Sequence, residues 1–113
     1  MMIRFATIVA SILALSCCAP GAPRTIERFT GSYVQAFEKH VFIPSGNRGT
    51  WWAVLEPTAR KAMDAARGPD LPISEPIYCD VEGILSPPGS YGHLNQYPRE
   101  ITIVRVVSAS RPE

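Results

Sequence analysis

Ile77-Tyr78-Cys79-Asp80-Val81-Glu82-Gly83-Ile84-Leu85 and Ile101-Thr102-Ile103-Val104-Arg105-Val106-Val107 are two strand-like runs, and the reading of this pair decides the fold. In the first, Ile77, Cys79, Val81, Gly83 and Leu85 share one parity against Tyr78, Asp80, Glu82 and Ile84, the alternation of a half-buried strand. The second is richer in β-branched residues and apolar on both faces, which predicts a more central strand. Between them runs Ser86-Pro87-Pro88-Gly89-Ser90-Tyr91-Gly92-His93-Leu94-Asn95-Gln96-Tyr97-Pro98-Arg99-Glu100, too long for a tight turn and dense in aromatic and hydrogen-bonding groups.

Working back from this pair, Glu56-Pro57-Thr58 opens a short helix, with proline in the first turn and a carboxylate near the positive end of the dipole. Ala59, Ala62, Met63 and Ala66 form its narrow apolar stripe, Arg60, Lys61, Asp64 and Arg67 are expected to face away, and Gly68-Pro69 ends it. The connector that follows is expected to tuck Leu71 and Ile73 into the core. Thr50-Trp51-Trp52-Ala53-Val54-Leu55 reads as a strand with its two tryptophans on opposite faces. Pro44-Ser45-Gly46-Asn47-Arg48-Gly49 is a turn, with glycine and asparagine available for positive φ. Upstream, alternation from Phe29 to Ile43 predicts either one curved strand or two strands joined by a bulge near Glu38-Lys39. The order strand, strand, helix, strand, strand describes a mainly β chain with one short helix, a small barrel of four to five strands, closed or partly open, and OB-like by the resemblance given below.

The N-terminus carries Arg4, then the uncharged apolar run from Phe5 to Leu15, then Ser16-Cys17-Cys18-Ala19. This is the tripartite pattern of a secretory signal. Cysteine at its end resembles the lipobox of bacterial lipoproteins, which implies lipidation of Cys17 or Cys18 by a diacyl, palmitate-bearing group, hence a membrane anchor. Cleavage near Ala19 or Ala22 would instead release a secreted or periplasmic protein, and an uncleaved anchor is the third possibility. The expected organisation is a signal peptide over 1–17, a tether over 18–28, the barrel over 29–107 and a frayed tail over 108–113.

Ten basic side chains oppose ten acidic ones once Arg4 is assigned to the signal segment. That balance gives no electrostatic footprint for nucleic acid, so no nucleic-acid partner is expected. After processing, Cys79 is the single cysteine within the domain, read as a small buried hydrophobe. Asp80 and Glu82 read as solvated carboxylates. No GxSxG, HExxH, CxxC or phosphate-cradling loop is present, so neither catalysis nor a cofactor is expected.

Gly31-x-Tyr33 with Phe37-Glu38, Phe42-x-Pro44-x-Gly46, Trp51-Trp52, Val81-Glu82-Gly83 and Ser86-Pro87-Pro88-Gly89-x-Tyr91-Gly92-His93-Leu94 together resemble the OB-fold-like domains of small bacterial envelope lipoproteins. The resemblance implies a barrel fold and a place in the cell envelope, and members are associated with envelope stress or metal homeostasis. The absence of an acidic residue just after Cys17 or Cys18 resembles the sorting pattern for the outer membrane of a diderm host. Ser45 stands where the family's pattern has cysteine, so no disulfide or thiol role carries over.

The candidate recognition residues are Tyr91, His93, Asn95, Gln96, Tyr97 and Arg99 in the long loop, with Trp51 and Trp52 as a candidate aromatic surface. The loop is read in two ways. Its rings and imidazole either fold back over an open barrel end, or they meet an envelope protein or cell-wall partner. The leading expectation is a non-enzymatic binding or scaffolding lipoprotein. One alternative is zinc or copper binding through His93 and His40 with Asp80 or Glu82. Another is a glycan or peptidoglycan module using Trp51, Trp52, Tyr91 and Tyr97.

Overall fold

The computed structural model describes residues 25–112. The signal segment, both candidate lipidation sites Cys17 and Cys18, and the first part of the expected tether lie outside the described residues. Five strands and one helix follow in the order β1 (Ile26–Ala36), β2 (Lys39–Pro44), β3 (Trp51–Leu55), α1 (Pro57–Arg67), β4 (Ile77–Leu85) and β5 (Glu100–Ser110). The strands close a barrel in the order β1-β2-β3-β5-β4, with β4 pairing back onto β1. Every pairing is antiparallel except β3 with β5, which are parallel and separated by α1 and β4. The small β-barrel with one helix expected from the sequence is therefore the observed fold, closed by five strands.

Alternation sets what lies inside. Phe29 and Tyr33 from β1, Phe42 from β2, Trp51, Ala53 and Leu55 from β3, Ile77, Cys79 and Val81 from β4, and Ile101 and Ile103 from β5 form one buried cluster. Burying aromatic and branched side chains at this density is the main favourable term of folding, at roughly 1.5–3 kcal/mol for each large apolar side chain. α1 contributes Ala59 and Met63 to the same cluster. Its start is set by Pro57 behind Glu56, and its end by Gly68 at φ 72, a backbone region glycine enters without a Cβ penalty. On the barrel's other side the β2–β3 turn places the Arg48 guanidinium 5.0 Å from the Trp51 ring and 5.9 Å from Phe29, covering the aromatic cluster.

β1 is shared. Its residues 26–33 pair with β4 and its residues 31–36 pair with β2, so the strand bends where the two ladders overlap. Gly31 sits at that overlap, opposite both Pro44 and Cys79. A Cβ there would lie 2.3 Å from the Ile43 carbonyl oxygen and 2.8 Å from the Pro44 Cα, so only glycine allows β2 to approach this closely.

Several expectations need correction. β1 and β2 are neither one curved strand nor a bulged pair. They form a hairpin closed by Phe37 and Glu38, with Ala36 opposite Lys39. Glu38 adopts φ 56 to make the turn, and Phe37 is left 88% exposed. β1 begins at Ile26, inside the expected tether, and β5 continues to Ser110, inside the expected tail. In both places backbone pairing with β4 extends the ladder beyond the apolar pattern. Arg67 does not face away from the sheet: it is 8% exposed, and its Nη1 donates to the Pro72 and Glu75 carbonyls at 3.0 and 3.2 Å. Those bonds fasten the α1–β4 connector to the helix. Leu71 packs against the core as expected, whereas Ile73 stays in solvent.

Candidate functional site

The loop over residues 86–99 is a folded element. Tyr91 and Tyr97 pair as an isolated antiparallel bridge, with N to O distances of 2.9 and 3.1 Å. Below that bridge Gly89 donates to the Pro98 carbonyl, and Ser86 donates to the Glu100 carbonyl. Above it, the chain reverses over residues 92–96, where Asn95 N–H donates to the Gly92 carbonyl at 3.0 Å and Gln96 N–H to the His93 carbonyl at 3.4 Å. The Tyr91 hydroxyl donates back to the Pro87 carbonyl at 2.8 Å, and Arg99 Nη1 donates to the Ser86 carbonyl at 3.0 Å. The chain thus spends the loop's polar groups largely on its own closure.

This small hairpin lies against the outer face of β2 and β3. Tyr97 packs on Trp52 with ring centroids 5.4 Å apart, and His40 meets the same indole edge-on at 5.9 Å. Gly92, at φ 74, approaches so closely that a Cβ would lie 2.4 Å from the indole ring. At the tip, His93 Nε2 lies 3.2 Å from Glu38 Oε1, tying the loop to the β1–β2 turn. Val41, paired with Trp52 on the outward parity, is buried too.

Of the expected site residues, Tyr91 and Tyr97 are half-buried and engaged in the loop's own bridge, and Arg99 is spent on Ser86. His93, Leu94, Asn95 and Gln96 remain at the exposed tip. Leu94 and Asn95 both take left-handed backbone conformations, at φ 58 and 53, and Leu94 is 70% exposed. Such a conformation costs a branched residue roughly 1–2 kcal/mol. The aromatic surface expected from Trp51 and Trp52 is not formed: Trp51 is 3% exposed against Phe29 and Phe42, and Trp52 lies beneath Gly92 and Tyr97. Alternation put the two rings on opposite faces correctly, but a loop more than thirty residues downstream covers the outer one.

The residues of the metal reading are kept apart. Among the described residues no three His, Cys, Asp or Glu side chains come together as a metal site. His93 faces Glu38, while His40 Nδ1 lies 3.4 Å from the Tyr33 hydroxyl. Burial, with the nearby Arg60 charge adding to it, pushes the His40 imidazole below its ordinary range. Asp80 accepts from Arg28 at 2.9 Å and from Thr30 at 2.8 Å, and Glu82 accepts from Arg105 at 2.9 Å. These hydrogen bonds hold both carboxyls below the usual carboxylate range. Cys79 is buried, and desolvation pushes its thiol up to about 12, far from a nucleophile's range.

A second surface carried no motif in the sequence. On the barrel's outer face a groove of about 570 Å³ runs over β1, β4 and the ends of β2 and β5, around Ser32, Tyr78, Asp80 and Ser110. Its residues come from opposite ends of the chain and meet only through the β1–β4 and β4–β5 registers. Among the described residues no helix is long and apolar enough to cross a membrane. Comparison with known proteins adds no relative: no family model, no curated protein and no solved structure matches this chain.

Proposed function

We propose that this chain is a non-enzymatic, membrane-anchored lipoprotein of the bacterial envelope whose barrel serves as a small binding or scaffolding module. The anchor half rests on the signal-like N-terminus ending in Cys17 and Cys18. The binding half rests on one observation: the 86–99 loop is fastened at its base and at its tip, yet holds an apolar side chain, Leu94, in solvent on a left-handed backbone. Folding gains little from that arrangement, so the strain is better explained by what the loop tip presents. Phe37, in the turn to which His93 is tied, is likewise exposed.

The two halves have separate tests. The processed protein should carry a diacyl mass increment that disappears in the Cys17→Ser, Cys18→Ser double variant, and an unmodified mature chain would remove the anchor. A photo-crosslinking residue at Leu94 should capture an envelope component in intact cells, while the same residue at Lys61 on the exposed side of α1 should not. Equal capture at both positions, or none at Leu94, would remove the recognition role of the loop.

A further inference from the structure

We propose that the outer-face groove over β1, β4 and β5 is a second binding site, one that takes a neutral saccharide chain. Two rows of outward side chains cross the sheet there. Ser110, Tyr78 and Ser32 stand opposite one another on β5, β4 and β1, and Ile43 continues that row on β2. Ser108, Asp80 and Thr30 form the next row. Partners in a row are separated by one strand spacing, about 4.8 Å.

The composition of these rows fits a polyol. Tyr78 is 50% exposed, and its cross-strand neighbours are serines, too small to cover its ring. Ile43, 43% exposed, makes the facing apolar wall. A sugar ring has an apolar C–H face that stacks on such surfaces and a rim of hydroxyls that both donate and accept. Ser32, Ser108 and Ser110 make no side-chain hydrogen bond to any described residue, so their hydroxyls are available for that rim. Asp80 supplies a fixed acceptor oriented by Arg28 and Thr30.

Other ligand classes fit less well. Asp80 is already paired with Arg28, so a cation would have to displace the guanidinium, and an anion would meet the carboxylate. An extended peptide finds no edge on the floor, because β1 and β4 are each hydrogen-bonded to strands on both sides. The volume of about 570 Å³ is that of a small-ligand cleft rather than of a protein interface.

Titration of the purified barrel with two neutral probes, the N-acetylglucosamine tetramer and maltotetraose, tests this, followed by calorimetry and by chemical-shift changes at residues 30–32, 78–80 and 108–110. Saturable binding of at least one probe is expected, with shifts confined to those segments. Tyr78→Ala should weaken it by about tenfold, the scale of one lost aromatic contact. Ser110→Leu, which fills the groove from an exposed position, should weaken it as well, and Lys61→Ala on the exposed side of α1 should leave it unchanged. No saturable binding of either probe, or affinities unaltered by both groove variants, would overturn the proposal. Because neither the anchor nor the 86–99 loop enters the measurement, its failure would leave the reading of the loop intact, and the reverse holds too.

Discussion

His93 Nε2 and Glu38 Oε1 approach to 3.2 Å across the outer face of the barrel, joining the 86–99 loop to the two-residue turn between β1 and β2. The contact is solvent-exposed on both sides, so by itself it contributes at most about 1 kcal/mol. What it fixes is position. Trp52 lies beneath the loop that this contact closes, and the outer face of β2 and β3 is occupied by the protein's own chain.

Two variants in that loop should therefore differ sharply. His93→Ala is expected to cost less than about 1 kcal/mol in denaturant unfolding, while raising amide exchange at Tyr91 and Tyr97. Gly92→Ala places a methyl group against the Trp52 indole at a positive φ, and is expected to cost about 2–4 kcal/mol or to detach the loop altogether. Tryptophan fluorescence distinguishes the two, since detachment exposes Trp52 while Trp51 stays in the core. An unaltered spectrum and midpoint for Gly92→Ala would mean that the loop does not rest on Trp52.

The bend of β1 gives a second comparison. Gly31→Ala forces a methyl group to within 2.3 Å of a carbonyl oxygen of β2 and should destabilise the barrel by about 3 kcal/mol or more. Gly49→Ala meets no neighbouring atom, so only its backbone at φ 90 is strained, and about 1 kcal/mol is expected. Similar urea midpoints for the two variants would refute the close packing of β1 on β2.

Cys79 offers a probe of the whole barrel. Its thiol is buried in the barrel core and pushed up to about 12, so almost no thiolate exists at neutral pH. Alkylation of the native domain by iodoacetamide should be slow and should accelerate with denaturant in step with global unfolding. Rapid labelling under native conditions would indicate that the β4 region opens locally.

The barrel itself was legible because its strands carry period-two patterns strong enough to survive without tertiary information. β3, β4 and α1 stand close to their expected bounds for that reason, while β5 runs on to Ser110 by pairing with β4. The β1–β2 hairpin was hidden because its turn contains neither glycine, asparagine nor proline: Glu38 adopts positive φ unannounced, and the apolar parity runs on through Phe37 into solvent. The cover over Trp52 was invisible because it depends on a glycine forty residues later, and nothing in a strand pattern says which loop will lie on its outer face. The groove was missed for a related reason. Thr30, Ser32, Tyr78, Asp80, Ser108 and Ser110 each read as an ordinary outward-facing residue, and only the registers across β1, β4 and β5 gather them. Arg67 looked solvated by helical period, but the connector over residues 68–76 supplies carbonyls that hold it inside.

Acid should lower the domain's stability in two pH windows, and the sign follows from which state holds the proton more tightly. Burial pushes the His40 imidazole below its ordinary range of about 6.5, so the unfolded chain binds that proton better than the folded one. Stability is then level above about pH 7 and declines as pH falls below about 6.5. Asp80 and Glu82 are held below the usual carboxylate range by Arg28, Thr30 and Arg105, so their contribution is present above about pH 4 and is lost as pH falls through their folded values. Both groups thus act in the same direction, but in separate windows. Melting temperatures measured between about pH 3 and 8 should show both declines in the parent chain. His40→Gln, which retains polar groups near the Tyr33 hydroxyl, should flatten the upper one while leaving the lower. Asp80→Asn with Glu82→Gln should do the opposite, lowering stability at neutral pH and blunting the loss below about pH 4. A His40→Gln profile parallel to the parent's across the upper window would show that His40 is not held neutral by its burial beside Tyr33, Trp52 and Arg60.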